Sequence, residues 1–344
     1  MIHGGDTISF QDEFMGNIVD FSSNINPLGP PKGLKAVLEA SYSELNFYPD
    51  TEYRELKRNV SKYLGCKNEE VIVGSGAVEI INNICLMFKR TVVFTPCFYE
   101  YMNRPKILGK EVIKLPMKED FKIDLALLKS VLTGEDLLIL GNPNNPTGLR
   151  IPKEELINIY NLVKGKKAFL LLDEAFFEFC PDDYDSIELF KDKENVCVLR
   201  AATKFFGVPG VRLGYGFCSG KFTESYKTIE SPWSINSYAN AAGRSLFKDI
   251  DYINNTKKLI AAEREYILRE FYSINWLKSY NTNANFILIK LLKYDENIIF
   301  DKLIKVGIMI RKCSTFQGLD ESFIRVAVKS HIDNERLIKA FKEF

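Results

Sequence analysis

The chain has 344 residues and a formal net charge of +1 at pH 7, from 46 Lys and Arg against 45 Asp and Glu. That length is sufficient for two domains around a sizeable core. Because basic side chains are dispersed among acidic ones and no apolar run approaches membrane-spanning length, the composition argues against nucleic-acid binding and against a membrane protein.

The histidine and cysteine content narrows the range of possible catalytic mechanisms further. Only His3 and His331 occur, near opposite ends, which excludes most Ser-His-Asp, Cys-His and His-ligated metal mechanisms. The seven cysteines are scattered without a CxxC pair, and the first residues lack a secretion-signal pattern. We therefore expect no metal site and a reduced, cytoplasmic protein. An enzyme this poor in histidine is expected to take its chemistry from a cofactor.

The first thirty residues are rich in glycine, asparagine and proline, which predicts an extended arm with turns rather than a regular element. Such an arm is either an ordered tail or a segment that folds over a substrate site. A helix over about 31–42 and an amphipathic helix from Tyr53 to Gly65 are predicted next. Between them Tyr48 precedes a proline, so it is expected to be extended and to project outward.

A glycine-rich turn follows the apolar run 71–73 and opens a helix. Glycines allow a tight turn, and the free amides at a helix start bind phosphate. The turn is not a dinucleotide fingerprint, because Glu79 occupies the place of the third glycine. We therefore interpret Gly76, Ala77 and Val78 as a cradle for a cofactor phosphate.

The alternation of apolar runs and amphipathic stretches from about residue 31 to 235 predicts a mostly parallel sheet covered by helices. Phe98 and Tyr99 follow one strand directly, where either ring could stack on a flat ligand or join the core. A helix is expected near 152–163. The predicted strands of this sheet lie at 71–73, 92–94, 111–115, 137–140, 168–172 and 196–199.

Polar motifs follow three of these strands, and the carboxyl ends of parallel strands meet at one edge of a sheet. GNPNNPTG follows one strand, and DEAF follows the next. Its Asp173 is expected to be a desolvated carboxylate that needs a cation, such as a protonated pyridine nitrogen. Lys204, in the third motif, is either a surface lysine or an amine that apolar neighbours make nucleophilic toward an aldehyde. Arg212 follows a turn from which it could hold a phosphate.

The chain changes character from about Trp233 onward, with long helical stretches rich in Lys and Glu. Two strands near 285–291 and 322–328, and a closing helix capped by Ser330, predict a smaller α+β domain. Arg325 lies within the second of these strands. An arginine in an apolar strand is usually paired with an anion, either a ligand group or a core acid.

The order NNPTG, DEAF and TKFFGVPGVRLGY resembles the fold-type-I pyridoxal-phosphate enzymes of the class I/II aminotransferase superfamily. The resemblance implies an α/β fold in which a large domain has a mostly parallel sheet of the seven-stranded type, with a smaller α+β domain beside it. We place the large cofactor-binding domain at 31–235, and the small domain, with its N-terminal arm, at 1–30 and 236–344. The implied cofactor is pyridoxal 5′-phosphate.

The resemblance also implies roles for individual residues. Lys204 would form a Schiff base with the cofactor and later carry a proton, and Asp173 would pair with the pyridine nitrogen. Asn145 would bond the ring hydroxyl, Phe98 would stack on the ring, and Arg325 would take the substrate carboxylate. The cofactor phosphate would be surrounded by Gly76, Ala77, Val78, Thr203, Arg212 and, from the other subunit of a homodimer, Tyr48.

Two positions depart from the pattern of many superfamily members. Phe176 stands where many have a tyrosine that contacts the cofactor, and Ala201 stands where many have a phosphate-binding serine. We therefore expect weaker cofactor binding or replacement of the two contacts. Arg200 is expected to be a second cation behind the site.

The choice of branch rests on the ends of the chain. HGG, DFSSNINPLG and PWSIN resemble threonine-phosphate decarboxylases of cobalamin biosynthesis, whereas the central motifs are shared with histidinol-phosphate aminotransferases. The first branch implies conversion of O-phospho-L-threonine to aminopropanol phosphate and CO2, and the second implies transamination. A non-catalytic cofactor-binding protein is a third alternative. A phosphorylated side chain needs its own polar pocket, for which His3, Asn26, Lys32 and Arg311 are candidates by position.

Overall fold

Three β-sheets organise the residues that the structure describes, which are 3–344 of a computed structural model. The strands within these residues are β1 (Val19–Asp20), β2 (Val71–Gly74), β3 (Arg90–Thr95), β4 (Glu111–Pro116), β5 (Asp136–Gly141), β6 (Phe169–Asp173), β7 (Val196–Ala201), β8 (Gly214–Cys218), β9 (Leu277–Ser279), β10 (Phe286–Leu291), β11 (Ile308–Met309), β12 (Arg311–Lys312) and β13 (Phe323–Ala327).

The largest sheet has seven strands in the order β2-β8-β7-β6-β5-β3-β4. β8 runs antiparallel to both of its neighbours, whereas β3 to β7 pair in parallel. Alternate side chains of β5 pack into two separate cores, with Leu138 and Leu140 on one face and Leu137 and Ile139 on the other. The predicted α/β fold with a mostly parallel sheet is confirmed, and its parallel strands bring their carboxyl ends to one edge.

Helices cover the sheets, and short 3-10 segments connect several of them. None of the helices in the described residues is long and apolar enough to cross a membrane. The α-helices of residues 3–344 are α1 (Leu34–Ala40), α2 (Arg54–Leu64), α3 (Ala77–Leu86), α4 (Glu100–Ile107), α5 (Leu125–Val131), α6 (Lys153–Gly165), α7 (Ser186–Phe190), α8 (Ala202–Phe205), α9 (Gly220–Lys227), α10 (Ser237–Ala242), α11 (Ile250–Tyr272), α12 (Glu296–Lys305) and α13 (His331–Lys342).

Local sequence signals set several helix ends. α2 ends at Gly65, which adopts the left-handed conformation with φ 68°. Ser330 caps α13, and its Oγ accepts a hydrogen bond from the backbone N–H of Asp333. α1 is shorter than predicted, because Ser41 Oγ donates to Val37 O at 2.8 Å and the chain continues as a 3-10 helix over Tyr42–Asn46.

The smaller sheet is antiparallel, with the order β12-β13-β10-β9, as expected for an α+β unit. β1 pairs in parallel with β11, so the N-terminal arm lies against the C-terminal part of the chain. The prediction of an arm without regular elements is wrong at β1 and at a 3-10 helix, Ile8–Glu13. The carbonyls of Gly307 and Met309 accept hydrogen bonds from the N–H groups of Val19 and Phe21, a pairing that the arm's own sequence does not reveal. The domain boundaries stay a prediction.

Candidate active site

A cavity of about 500 Å³ opens where the carboxyl ends of the parallel strands face the smaller sheet. We call it the central cavity. Its walls come from the segments after β3, β5, β6 and β7, the start of α3, the β12–β13 pair and the N-terminal arm. The sequence-predicted residues that line it are His3, Ala77, Val78, Phe98, Asn145, Asp173, Thr203, Lys204, Arg212, Arg311 and Arg325.

Lys204 lies in α8, a four-residue helix that begins directly after β7. Its amine reaches the central cavity, yet protein atoms surround most of the side chain. Burial, reinforced by the positive charges of Arg325 and Arg212, lowers the pKa of Lys204 to about 8. A lysine with this pKa has an appreciable unprotonated fraction near neutral pH, which a nucleophilic amine requires.

Asp173 ends β6 and faces the same cavity. Tyr101 Oη donates a hydrogen bond to its Oδ2 at 2.8 Å, and the Ala175 N–H donates to Oδ1 at 2.9 Å. Burial raises the pKa of Asp173, while these two donors lower it. No Lys, Arg or His side chain in residues 3–344 forms an ion pair with this carboxylate. It is therefore a site suited to a cationic group of a ligand.

The start of α3 forms a cradle with the Arg212 guanidinium. Gly76 has φ 79°, and a Cβ built on it would collide with Arg212 Nη2. A Cβ on Gly214 would fall 2.6 Å from Gly76 C and 2.7 Å from Ala77 N. Glycines at both positions thus let the backbone amides and the guanidinium converge on one point, which fits a phosphate dianion.

Arg325 lies in β13 and is buried. Its Nη1 donates to Asn145 Oδ1 at 2.5 Å and its Nη2 to Ser22 O at 2.7 Å, while its buried Nε has no hydrogen-bond partner among residues 3–344. Burial lowers the pKa of Arg325 to about 10. None of the acids in the described residues forms an ion pair with it, so the core-acid alternative has no support among residues 3–344.

Arg311 is the cross-strand partner of Arg325 in the β12–β13 pair. Like charges opposite each other in antiparallel strands repel, and both arginines line the central cavity. Arg311 is held by Nη2–Thr315 Oγ1 and Nη1–Lys312 O hydrogen bonds of 2.7 and 2.5 Å. Two guanidinium groups fixed in this way form a strongly anion-attracting wall.

The N-terminal arm closes another side of the central cavity. His3 Nε2 lies 3.2 Å from Glu100 Oε1, and the second oxygen of Glu100 accepts from Arg104 Nε at 2.7 Å. The His3 ring also packs near Phe98 and Tyr99. This placement agrees with the interpretation of the arm as a segment that folds over a ligand site.

Four predicted residues do not line the central cavity, namely Tyr48, Asn26, Lys32 and Gly76. Tyr48 is 79% exposed and packs against Trp233, with ring centroids 4.5 Å apart and an interplanar angle of 33°. Asn26 is buried, and its side-chain amide donates hydrogen bonds to Phe205 O of α8 and Thr256 Oγ1 of α11. Lys32 lines a separate groove near Pro209. Gly76 lies behind Ala77 in the cradle, against Arg212.

Sequence reasoning missed Tyr101, because an aromatic one turn beyond Phe98 looks like any other core residue. At the two departures from the superfamily pattern, the Phe176 ring packs edge-on against Phe286 with centroids 5.0 Å apart, and Ala201 lines the cavity wall. Arg200 lies behind the site as expected, with its Nη2 3.0 Å from Glu174 Oε2 and 2.7 Å from Asp185 Oδ1.

The family model described as aminotransferase class I and II matches residues 16–342. The chain belongs to the class I/II aminotransferase family. A Caldanaerobacter subterraneus protein named "Putative threonine-phosphate decarboxylase" is 42% identical, covering 96% of this chain and 93% of the relative. The threonine-phosphate decarboxylase of Salmonella typhimurium is 31% identical over 94% of the chain and 90% of its own.

A solved structure supports the same family. The histidinol-phosphate aminotransferase of Clostridium acetobutylicum superposes with a TM-score of 0.90 at 34% identity, covering 94% of this chain and 98% of the other. The fold-type-I architecture is thereby confirmed. This class I/II aminotransferase family member is an enzyme whose cofactor is pyridoxal phosphate. The unpaired buried carboxylate, the low-pKa lysine and the glycine-lined cradle all fit that cofactor.

Proposed function

We propose that this enzyme decarboxylates O-phospho-L-threonine to aminopropanol phosphate and CO2. The observation that carries the proposal is the pair of arginines, Arg311 and Arg325, opposed across two strands in one cavity. A substrate with both a carboxylate and a phosphate satisfies two neighbouring guanidinium groups, each suited to bidentate contacts with such oxyanions. The 42% identity to a protein of that name supports the same substrate.

Different residues around the central cavity are suited to bind different parts of the cofactor. The α3 cradle, Thr203 and Arg212 would bind the phosphate, Phe98 would pack on the ring, and Asp173 would accept a hydrogen bond from the protonated ring nitrogen. When bound, pyridoxal phosphate withdraws electrons from the bond that breaks at the substrate α-carbon. Asn145 Oδ1 accepts from Arg325, which leaves its amide nitrogen to donate to the ring hydroxyl.

Lys204 has two tasks in this proposal. Its neutral amine would hold the cofactor, and once the substrate amine displaces it, the lysine would take the proton that the substrate ammonium loses and donate it to the α-carbon after CO2 leaves. Arg325 fixes the substrate carboxylate, and the orientation of that group decides which bond at the α-carbon is aligned with the ring. Arg311 holds the substrate phosphate, with His3 of the arm beside the same space.

Transamination of histidinol phosphate is the second candidate. The TM-score of 0.90 and the 34% identity to the Clostridium acetobutylicum enzyme favour it. Histidinol phosphate carries a phosphate but no carboxylate, so it would engage the arginine pair through one group alone. The two candidates therefore differ in whether one amine substrate places separate anions on both arginines.

A homodimer is part of the proposal. Five large apolar side chains are exposed near one another in the sequence or in space, and the rings of Tyr48 and Trp233 pack against each other. The five are Tyr42, Leu45, Phe47, Tyr48 and Trp233. In a dimer Tyr48 would reach the cofactor phosphate of the partner. We also place the enzyme in the cytoplasm, because its seven cysteines are all unpaired.

The deciding experiment mixes cofactor-loaded enzyme with O-phospho-L-threonine and measures released CO2 while following the cofactor absorbance. Stoichiometric CO2, with the original lysine-bound band restored after each turnover, supports the decarboxylase. Conversion to the amino form of the cofactor without CO2, seen also with histidinol phosphate, supports the aminotransferase and overturns the first proposal.

A further inference from the structure

We propose that Asn26 is a positioning residue that fixes the backbone of Lys204, and that the N-terminal turn around it acts as a clamp on α8. The inference rests on the proposed role of Lys204 as the cofactor-binding lysine. It replaces the substrate contact that the sequence suggested for Asn26.

The clamp consists of direct hydrogen bonds from one residue to two consecutive carbonyls of α8. The Asn26 N–H donates to Lys204 O at 3.1 Å, and Asn26 Nδ2 donates to Phe205 O at 2.7 Å. The last carbonyls of a helix have no partners within the helix. Lys204 O also accepts from the Gly207 N–H at 3.4 Å, so Asn26 adds a shorter bond at Lys204 and supplies a side-chain bond to Phe205 O.

External support matters because α8 has only four residues. One turn of helix has little cooperative stability of its own, so its geometry depends on what packs against it. Asn26 is itself fixed: its Oδ1 accepts from the Leu28 N–H at 3.0 Å, which sets the amide orientation. Its Nδ2 also lies 2.8 Å from Tyr252 Oη and 2.9 Å from Thr256 Oγ1 of α11.

Close backbone contact reinforces these bonds. A Cβ on Gly207 would lie 2.7 Å from both C and O of Gly29, so the N-terminal turn sits directly on the lysine segment. Tyr252 Oη donates to Gly29 O at 2.6 Å and lies 3.2 Å from Phe205 O. The turn, α8 and α11 thus meet at Asn26, and the arm that closes the cavity is coupled mechanically to Lys204.

The test follows the rate at which Lys204 attaches the cofactor, because that step does not depend on the substrate. Pyridoxal phosphate is added to apoprotein, and the lysine-bound absorbance band is followed in time. Borohydride reduction and peptide mapping then identify the attached lysine. We expect Asn26→Ala to slow attachment, and to lower kcat, by about 10-fold to 100-fold, since small misplacements of reacting groups cost this much. KM should stay within about 2-fold of the wild-type value.

Tyr252→Phe is a second variant, in case Asn26→Ala does not fold. It removes a hydroxyl that contacts Asn26, Gly29 and Phe205 but does not line the central cavity, so we expect slower attachment, to a smaller degree. Asn334→Ala is the matched control. Asn334 is also a buried asparagine, and its Nδ2 donates hydrogen bonds to Glu263 Oε2 in α11 and to Lys329 O in the segment after β13. Because these bonds do not involve α8, the loss of this side chain should leave the rate of cofactor attachment unchanged.

The outcomes separate the proposals. An Asn26→Ala variant with a raised KM and a normal attachment rate would mean a direct substrate contact and would overturn the clamp. A normal rate of cofactor attachment in a folded Tyr252→Phe variant would also contradict the clamp. Peptide mapping to another lysine in the wild type would instead remove the proposed role of Lys204 itself. Absence of CO2 release would reject only the decarboxylase.

Discussion

Tyr101 Oη donates a 2.8 Å hydrogen bond to Oδ2 of Asp173, the carboxylate proposed to face the cofactor ring nitrogen. Burial raises the pKa of Asp173, and this bond lowers it, so the tyrosine helps to keep the carboxylate ionised. Burial of the Tyr101 hydroxyl, together with the nearby charge of Asp173, raises the pKa of Tyr101 well above its usual value.

Tyr101→Phe should therefore weaken cofactor binding by about 10-fold, the loss expected for one hydrogen bond to a charged group. Because the pKa of Asp173 rises further without its donor, the acid limb of the pH–rate profile should move to higher pH. Cofactor titration of the apoprotein checks the first effect. Tyr160→Phe is the control, because it removes a hydroxyl that bonds to Glu194 O, away from the central cavity. Equal affinities in both variants would contradict the prediction.

Lys204→Met should stabilise the apoprotein in a pH-dependent way. The folded-state pKa of Lys204 is about 8, below the ordinary 10.5, so the folded state binds fewer protons than the unfolded state between these values. Wild-type stability should thus rise relative to the variant by about 3 kcal/mol as the pH increases from 8 to 10.5. Thermal unfolding of both apoproteins measures the difference. Lys35→Met, a change at an exposed position, is the control for the loss of a lysine outside the central cavity.

Arg311→Ala should raise the KM for a phosphorylated substrate by about 100-fold, the loss of a charge-assisted bidentate contact. Cofactor affinity should change little, because the phosphate cradle lies at Arg212 and α3 rather than at β12. Steady-state kinetics with O-phospho-L-threonine, together with cofactor titration, separates the two effects. An unchanged KM would remove Arg311 from the substrate site.

Gly214→Ala should weaken cofactor binding, because the new Cβ would meet backbone atoms of Gly76 and Ala77 at 2.6 and 2.7 Å. Backbone cannot move aside as a flexible side chain can, so the start of α3 must shift away from Arg212. We expect at least a roughly 10-fold loss of cofactor affinity, as for one lost phosphate contact. Gly210→Ala on the neighbouring turn is the control, since its Cβ would meet no atom within 4 Å.

Glu174→Ala should cost about 3–5 kcal/mol of stability, the usual penalty for stranding one partner of a buried ion pair. Glu174 is fully buried, and its Oε2 accepts from Nε and Nη2 of Arg200 at 3.2 and 3.0 Å. Urea unfolding of the apoprotein measures the loss. Glu188→Ala, which breaks an exposed pair with Lys191, should have little effect. A small loss for Glu174 would mean that Asp185 alone satisfies Arg200.

The large sheet could be predicted from the sequence, because the patterns that indicate its strands extend over only a few neighbouring residues. Apolar runs ending in Asp173 or preceding Lys204 predict strands, and parallel strands place their ends together whatever the details of packing. The three ordered motifs then predicted Asp173, Asn145 and Lys204 in one site, and the structure brings all three to the central cavity. Glycine signals such as Gly65 fixed helix ends for the same local reason.

Contacts between distant segments were decided only by the tertiary structure. The fold class, the motif residues and the need for a cofactor could be predicted from the sequence, because backbone preferences and apolar periodicity act over a few residues. It did not determine that Asn26 holds α8, since the bond joins residues 179 positions apart. It likewise could not show that Tyr101 meets Asp173 or that Arg311 opposes Arg325. Those relationships depend on strand register and loop path, which the packing of the whole chain sets.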